Sequence, residues 1–98
     1  NIFNLLEILH PTPAIAGYPI KNAIDKINTI NENRGWYGGP IGWVDNCLNG
    51  KFFLNIRSGL ILDDDIYLFS GSGIIKESNS ESEWEETEQK FNLMIESF

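Results

Sequence analysis

At 98 residues, with 42% apolar and 21% charged side chains, the chain has room for one small domain and buries a smaller share of its surface than a typical enzyme does. No apolar run approaches a membrane span and no signal-peptide pattern opens the chain, so no membrane role and a cytoplasmic location are expected. A net charge of −7 with seven scattered Lys and Arg excludes a nucleic-acid partner, and one cysteine, Cys47, excludes an internal disulfide and argues against zinc.

Residues 1–9 are rich in Ile, Leu and Phe and fit either a helix end or an entering strand. His10-Pro11-Thr12-Pro13 forces an extended path, because each proline lacks an N–H and pushes its predecessor out of the helical region, so residues 10–17 are expected as a rigid loop. Pro19 suits a first helical turn, and Ile20, Ala23, Ile24, Ile27 and Ile30 recur at the spacing of one buried face, which predicts a helix over 19–30. Trp36 to Cys47 reads as a strand kinked by glycines and Pro40, with Trp36 and Trp43 in the core and Cys47 a strand residue. Asn49-Gly50 signals a two-residue hairpin turn. In the next strand Phe52, Leu54 and Ile56 face one way, and Arg57 projects from the other side. A turn at Asp63–Asp65 returns Ile66–Phe69 onto Leu60–Leu62. A last helix is expected from Ser80 towards Phe98, with Ser80 and Glu83 at capping-box spacing and Trp84, Phe91, Met94, Ile95 and Phe98 as its core side. The expected fold is α+β: a helix, a three-strand antiparallel meander and a helix.

Seven of the fourteen acidic residues lie between Glu77 and Glu96, with only Lys90 as a base within that span. Glu83 and Glu86 stand three apart with Lys90 four residues on, which on one helix face can hold a hard divalent cation such as Mg2+ beside a positive charge. The same residues also suit a cap and a surface ion pair, and residue types alone leave both readings open. Gly71-Ser72-Gly73 precedes this helix and permits close approach of backbone amides to an anion, although it lacks a nucleotide-binding fingerprint. Arg57 is a two-pronged donor for a carboxylate. His10, the one histidine, could donate to a ligand or cap the helix entry. Tyr37 combines an apolar ring with a polar tip, and packing is the default for such a residue.

Four blocks in one order carry a resemblance: Leu9-His10-Pro11-Thr12-Pro13-Ala14 through Gly17; Arg34-Gly35-Trp36-Tyr37-Gly38-Gly39-Pro40-Ile41-Gly42-Trp43; Ile56-Arg57-Ser58; and Gly71-Ser72-Gly73-Ile74-Ile75 through Glu83, Glu86 and Lys90. Together they resemble the C-terminal part of the chorismate-utilising enzymes. Pro13-Ala14-Ile15 is similar to the isochorismate synthase branch; anthranilate, aminodeoxychorismate and salicylate synthases carry other residues there. Ala14 and Ile15 would then lie near the carbon attacked by water, a small apolar pair that offers no hydroxyl to redirect the chemistry.

The resemblance implies that Glu86, with Glu83 beside it, binds Mg2+, and that the metal holds the ring carboxylate of chorismate. It implies that Tyr37, Arg57 and the amide of Gly71 hold the enolpyruvyl carboxylate, that Lys90 lies close to both carboxylates, and that His10 is a polar active-site group. The family's general base, a lysine, and its general acid, a glutamate, are expected upstream of Asn1. Residues 1–98 are therefore expected to be the C-terminal portion of one catalytic domain whose remainder is their partner. A plant or algal source would place it in the plastid stroma. Whether the product feeds quinone, siderophore or salicylate synthesis is not written in the sequence. A non-catalytic anion-binding or interaction remnant is the rival reading.

Overall fold

The computed structural model describes residues 1–30 and 33–98. It is an α+β chain in the order α1 (Ile2–Leu9), α2 (Pro13–Ala16), α3 (Ile20–Ile30), β1 (Pro40–Val44), β2 (Gly50–Leu54), β3 (Ser58–Leu62), β4 (Asp65–Phe69) and α4 (Ser80–Ile95). Two compact units divide it, Asn1–Asn55 and Ile56–Phe98.

In the first unit the opening stretch resolves as a helix because Asn1 caps it: its side-chain oxygen accepts from the Phe3 and Asn4 amides at 3.0 and 3.1 Å. The expected loop at 10–17 contains α2, since Pro13 occupies the first helical position, where its missing N–H costs nothing. Gly17 ends α2 at φ +102°, and a Cβ there would lie 2.9 Å from that of Ala23, so the chain can turn tightly into α3 only with glycine. Ile20, Ala23, Ile24 and Ile27 form the half-buried face of α3 as their spacing predicts, while Ile30 is exposed.

β1 and β2 pair antiparallel from Pro40↔Leu54 to Val44↔Gly50. The hairpin turn is not at Asn49-Gly50: Gly50 already belongs to β2, and the connection is 45–49, with exposed Cys47 in the turn and not in a strand. The Asp45 carboxylate organises this loop. It accepts from the Cys47 and Asn49 amides at 2.8 and 2.9 Å and from the Asn49 side chain at 3.2 Å. Residues 35–38 form a turn ahead of β1, so the expected strand begins four residues late, and Trp36 and Trp43 are exposed.

In the second unit β3 and β4 pair antiparallel from Ser58↔Phe69 to Leu62↔Asp65 around Asp63-Asp64, with Asp63 at φ +54°. Among the described residues the sheets are two separate two-stranded ones, β1-β2 and β3-β4, not one meander of three strands. The reason lies at Arg57, whose φ of +46° breaks the extended chain between β2 and β3. α4 is capped by Asn79, not Ser80: the Asn79 side chain accepts from the Ser82 amide at 3.1 Å, which leaves Glu83 outside any capping box. Ala16 is the one buried hydrophobic side chain among the described residues.

The amide donors onto Asp45, chiefly Asn49, hold its carboxyl below the ordinary carboxylate range. A depressed folded pKa stabilises the loop above the unfolded value and loses that contribution as pH falls through the lowered one. The Cys47 and Asn49 amide resonances are therefore expected to shift below about pH 4. Asp45→Ala should abolish that titration, and a hairpin whose amides ignore both changes would contradict the assignment.

Candidate functional site

The residues expected to act together fall into two groups, one in each unit. In the first unit, His10 follows α1, its amide bonded to the Leu6 carbonyl at 2.9 Å, and Ile15 lies in α2. Tyr37 lies in the 35–38 turn. These three line one cavity of about 290 Å³, with Ile24 and Ile27 of α3 among its apolar walls and Arg34 among its polar ones. Ala14 is exposed and does not line it.

Arg34 was not singled out from sequence. It is half-buried, and its guanidinium lies over the Tyr37 ring at 5.4 Å from the centroid, a cation–π arrangement. Gly38, at φ +80°, must be glycine here: a Cβ would lie 3.0 Å from Ile15 and 3.3 Å from Arg34. Asn55 ties the same turn to the end of β2, which sequence alternation alone does not signal.

In the second unit, α4 turns an unexpected face inward. Glu83, Thr87, Lys90, Phe91 and Met94 are its half-buried stripe, whereas Trp84, Ile95 and Phe98, expected in the core, are 68%, 57% and 75% exposed. Glu86 lies on the rim of that stripe, 54% exposed. The Lys90 ammonium, 18% exposed, donates both to the Glu86 carboxylate and to the Gly71 carbonyl, the latter at 2.9 Å. One lysine thus ties the glycine turn to the helix at the carboxylate of Glu86. Farther along the turn, the Ile75 amide donates to the Ser78 hydroxyl at 2.8 Å.

Arg57 is exposed and sits in a bend, not on a strand as expected. The residue after it, Ser58, and the residue before Gly71, Ser70, each have a hydroxyl oxygen enclosed without a hydrogen-bond partner among the described residues. Neither was picked out from sequence, where a serine next to a motif carries no signal of burial. Among the described residues no group of three or more His, Cys, Asp or Glu gathers in metal-binding proximity.

With this geometry in view, comparison with known proteins is specific. The family model described as chorismate binding enzyme matches residues 1–98. The chain belongs to that family, the chorismate-utilising enzymes. It is 50% identical over 96 residues to isochorismate synthase MenF of Bacillus subtilis, covering 97% of this chain and 20% of that protein. It is 42% identical to the salicylate biosynthesis isochorismate synthase of Pseudomonas aeruginosa, over 98% of this chain and 20% of that one. Isochorismate synthase EntC of Escherichia coli K12 is 35% identical over 100% of this chain and 25% of its own length. The chain therefore spans a fifth to a quarter of the length of these three relatives. No solved structure matches it. No helix among the described residues is long and apolar enough to cross a membrane.

The tether from Lys90 to Gly71 predicts that Lys90→Met, in a complete enzyme carrying this segment, speeds amide hydrogen exchange at residues 70–73. The middle of α4 should be unaffected, because its backbone ladder does not depend on the Lys90–Glu86 pair. Unchanged exchange at 70–73 would show that the turn is held by something else.

Proposed function

We propose that these residues are the substrate- and metal-gripping part of an isochorismate synthase, which converts chorismate to isochorismate. The observation that carries the reading is the inward polar stripe of α4, on which Lys90 joins Glu86 to the carbonyl of Gly71. A helix that served only as a solvated acidic face would turn Glu83 and Lys90 outward and bury Trp84. With Asn79 as the cap, Glu83 has no capping duty and is available as a ligand.

The residues fit Mg2+ as a partial donor set: two carboxylates on successive turns suit an ion that takes one or two carboxylates and completes its shell with water and substrate oxygens. When bound, the ion would neutralise the ring carboxylate of chorismate and hold it in place. In the first unit the phenol of Tyr37, and in the second Arg57 and the amide of Gly71 with Lys90 nearby, are the groups proposed to bind substrate carboxylate. The enclosed, unpartnered hydroxyls of Ser58 and Ser70 flank Arg57 and Gly71, and this supports a polar ligand at that stretch. His10 supplies a polar group at the cavity, and Ala14 and Ile15 offer no hydroxyl to compete with water.

In the overall reaction water forms a C–O bond at one ring carbon, the ring double bonds shift, and the original hydroxyl leaves from another carbon as water. Atoms and charge balance with one proton removed from the entering water and one delivered to the leaving oxygen. The lysine and glutamate that perform those transfers in the family correspond to no residue of these 98. The remainder of the catalytic domain would supply them and cover the apolar surface that this chain leaves exposed, Trp36, Trp43 and Trp84 included.

In a complete enzyme carrying this segment, Glu86→Ala and Arg57→Ala should each lower kcat/KM for chorismate by about 100-fold or more, the scale of removing a preorganised charged partner. Glu88→Ala should stay within about twofold. Three equal activities would remove the assignment. The 98 residues alone are expected to form no isochorismate with chorismate and Mg2+, and to bind the apolar dye ANS. Turnover by the isolated chain would refute the division of labour.

A further inference from the structure

We propose that the side-chain amide of Asn55 is a positioning group for Tyr37, setting the direction in which the phenol leaves the 35–38 turn. The inference rests on the reading of Tyr37 as a carboxylate-binding residue. By itself the turn is closed only by short-range bonds, Tyr37 amide to Arg34 carbonyl and Gly39 amide to Trp36 carbonyl, both 3.1 Å. Such closures hold a turn together without fixing where it points.

Among the described residues its hydrogen bonds to the rest of the unit come from one residue. The Asn55 amide donates to the Gly39 carbonyl and its carbonyl accepts from the Gly38 amide, both at 2.8 Å. These two continue the β1–β2 pairing past Pro40↔Leu54 through a bulge, with Gly38 and Gly39 both opposite Asn55, and any residue at 55 would make them. The third bond belongs to asparagine alone: its Nδ2 donates to the Trp36 carbonyl at 3.0 Å. That carbonyl lies in the peptide plane joining Trp36 to Tyr37, so holding it fixes the starting direction of the tyrosine side chain. Arg34 lies over the ring, which leaves the phenol's backbone plane set by Asn55 and its ring face covered by Arg34. Asn55 touches no reacting atom and acts through Tyr37.

The test is a double-mutant cycle in a complete enzyme carrying this segment, with KM and kcat for chorismate measured separately. Asn55→Ala should raise KM about three- to tenfold and leave kcat within about twofold, the scale of one lost hydrogen bond. Asn55→Asp, equal in shape but presenting an oxygen to the Trp36 carbonyl, should do at least as much harm. In a Tyr37→Phe background, Asn55→Ala should add little further KM effect. Asn55→Ser, with a shorter arm, takes its place in the cycle if the alanine variant does not fold. Tyr37→Phe with a raised KM and a fully additive Asn55 effect would overturn the tether alone. Tyr37→Phe with an unaltered KM would overturn the reading of Tyr37 beneath it.

Discussion

A two-stranded hairpin has two open edges and no second layer of its own, and both sheets of this chain are of that kind. Neither can bury an apolar face by pairing alone, and each unit contributes few helical side chains to cover one. Ala16 is accordingly the one buried hydrophobic side chain among the described residues, and all three tryptophans are exposed. This limit governs the rest: where apolar packing is thin, polar tethers at turns must hold the geometry.

Three such tethers recur at the places where the chain changes direction. Asp45 gathers three donors to close the β1–β2 loop. Asn55 holds the turn that carries Tyr37. Lys90 reaches nineteen residues back to the Gly71 carbonyl while pairing with Glu86. Each bond is modest by itself, and those of Asn55 and Lys90 each hold a carbonyl beside a residue to which the proposed chemistry assigns a task, Tyr37 and Gly71. The first two involve residues with a local or extended-strand role in sequence, and only Lys90 stood out beforehand.

Legibility followed the range of the interaction. The α3 face was readable because Ile20, Ala23, Ile24 and Ile27 repeat at the helical period and pack locally. The β3–β4 hairpin was readable because Asp63-Asp64 sits between two short apolar runs, Leu60–Leu62 and Ile66–Phe69. The break at Arg57 was not, since a positive φ at a non-glycine residue has no residue-type signature and turns an expected three-strand meander into two hairpins. Capping by Asn79 in place of Ser80 is a one-residue shift between two good caps. As for the candidate site, the motif blocks named its residues, but Arg34 beside Tyr37 and the enclosed Ser58 and Ser70 hydroxyls depend on contacts that composition and spacing do not encode.

The helix α4 shows why that gap falls at the positions proposed to be functional. Hydrophobic periodicity assigns the apolar side of a helix to the interior on the premise that the interior is apolar. A site built inside a fold inverts the premise, because charged ligands must be met by charged and polar groups turned inward. On α4 the inward stripe is Glu83, Thr87, Lys90, Phe91 and Met94, polar in its first half and apolar in its second. The switch occurs at Lys90, whose ammonium bonds to the glycine turn. In the proposed reading its N-terminal half would present ligands while its C-terminal half supplies packing, and Trp84, on the outer side of the polar half, is exposed. The mismatch between apolar pattern and half-buried face is what the proposed reading requires of a stretch where local rules of folding yield to the demands of binding.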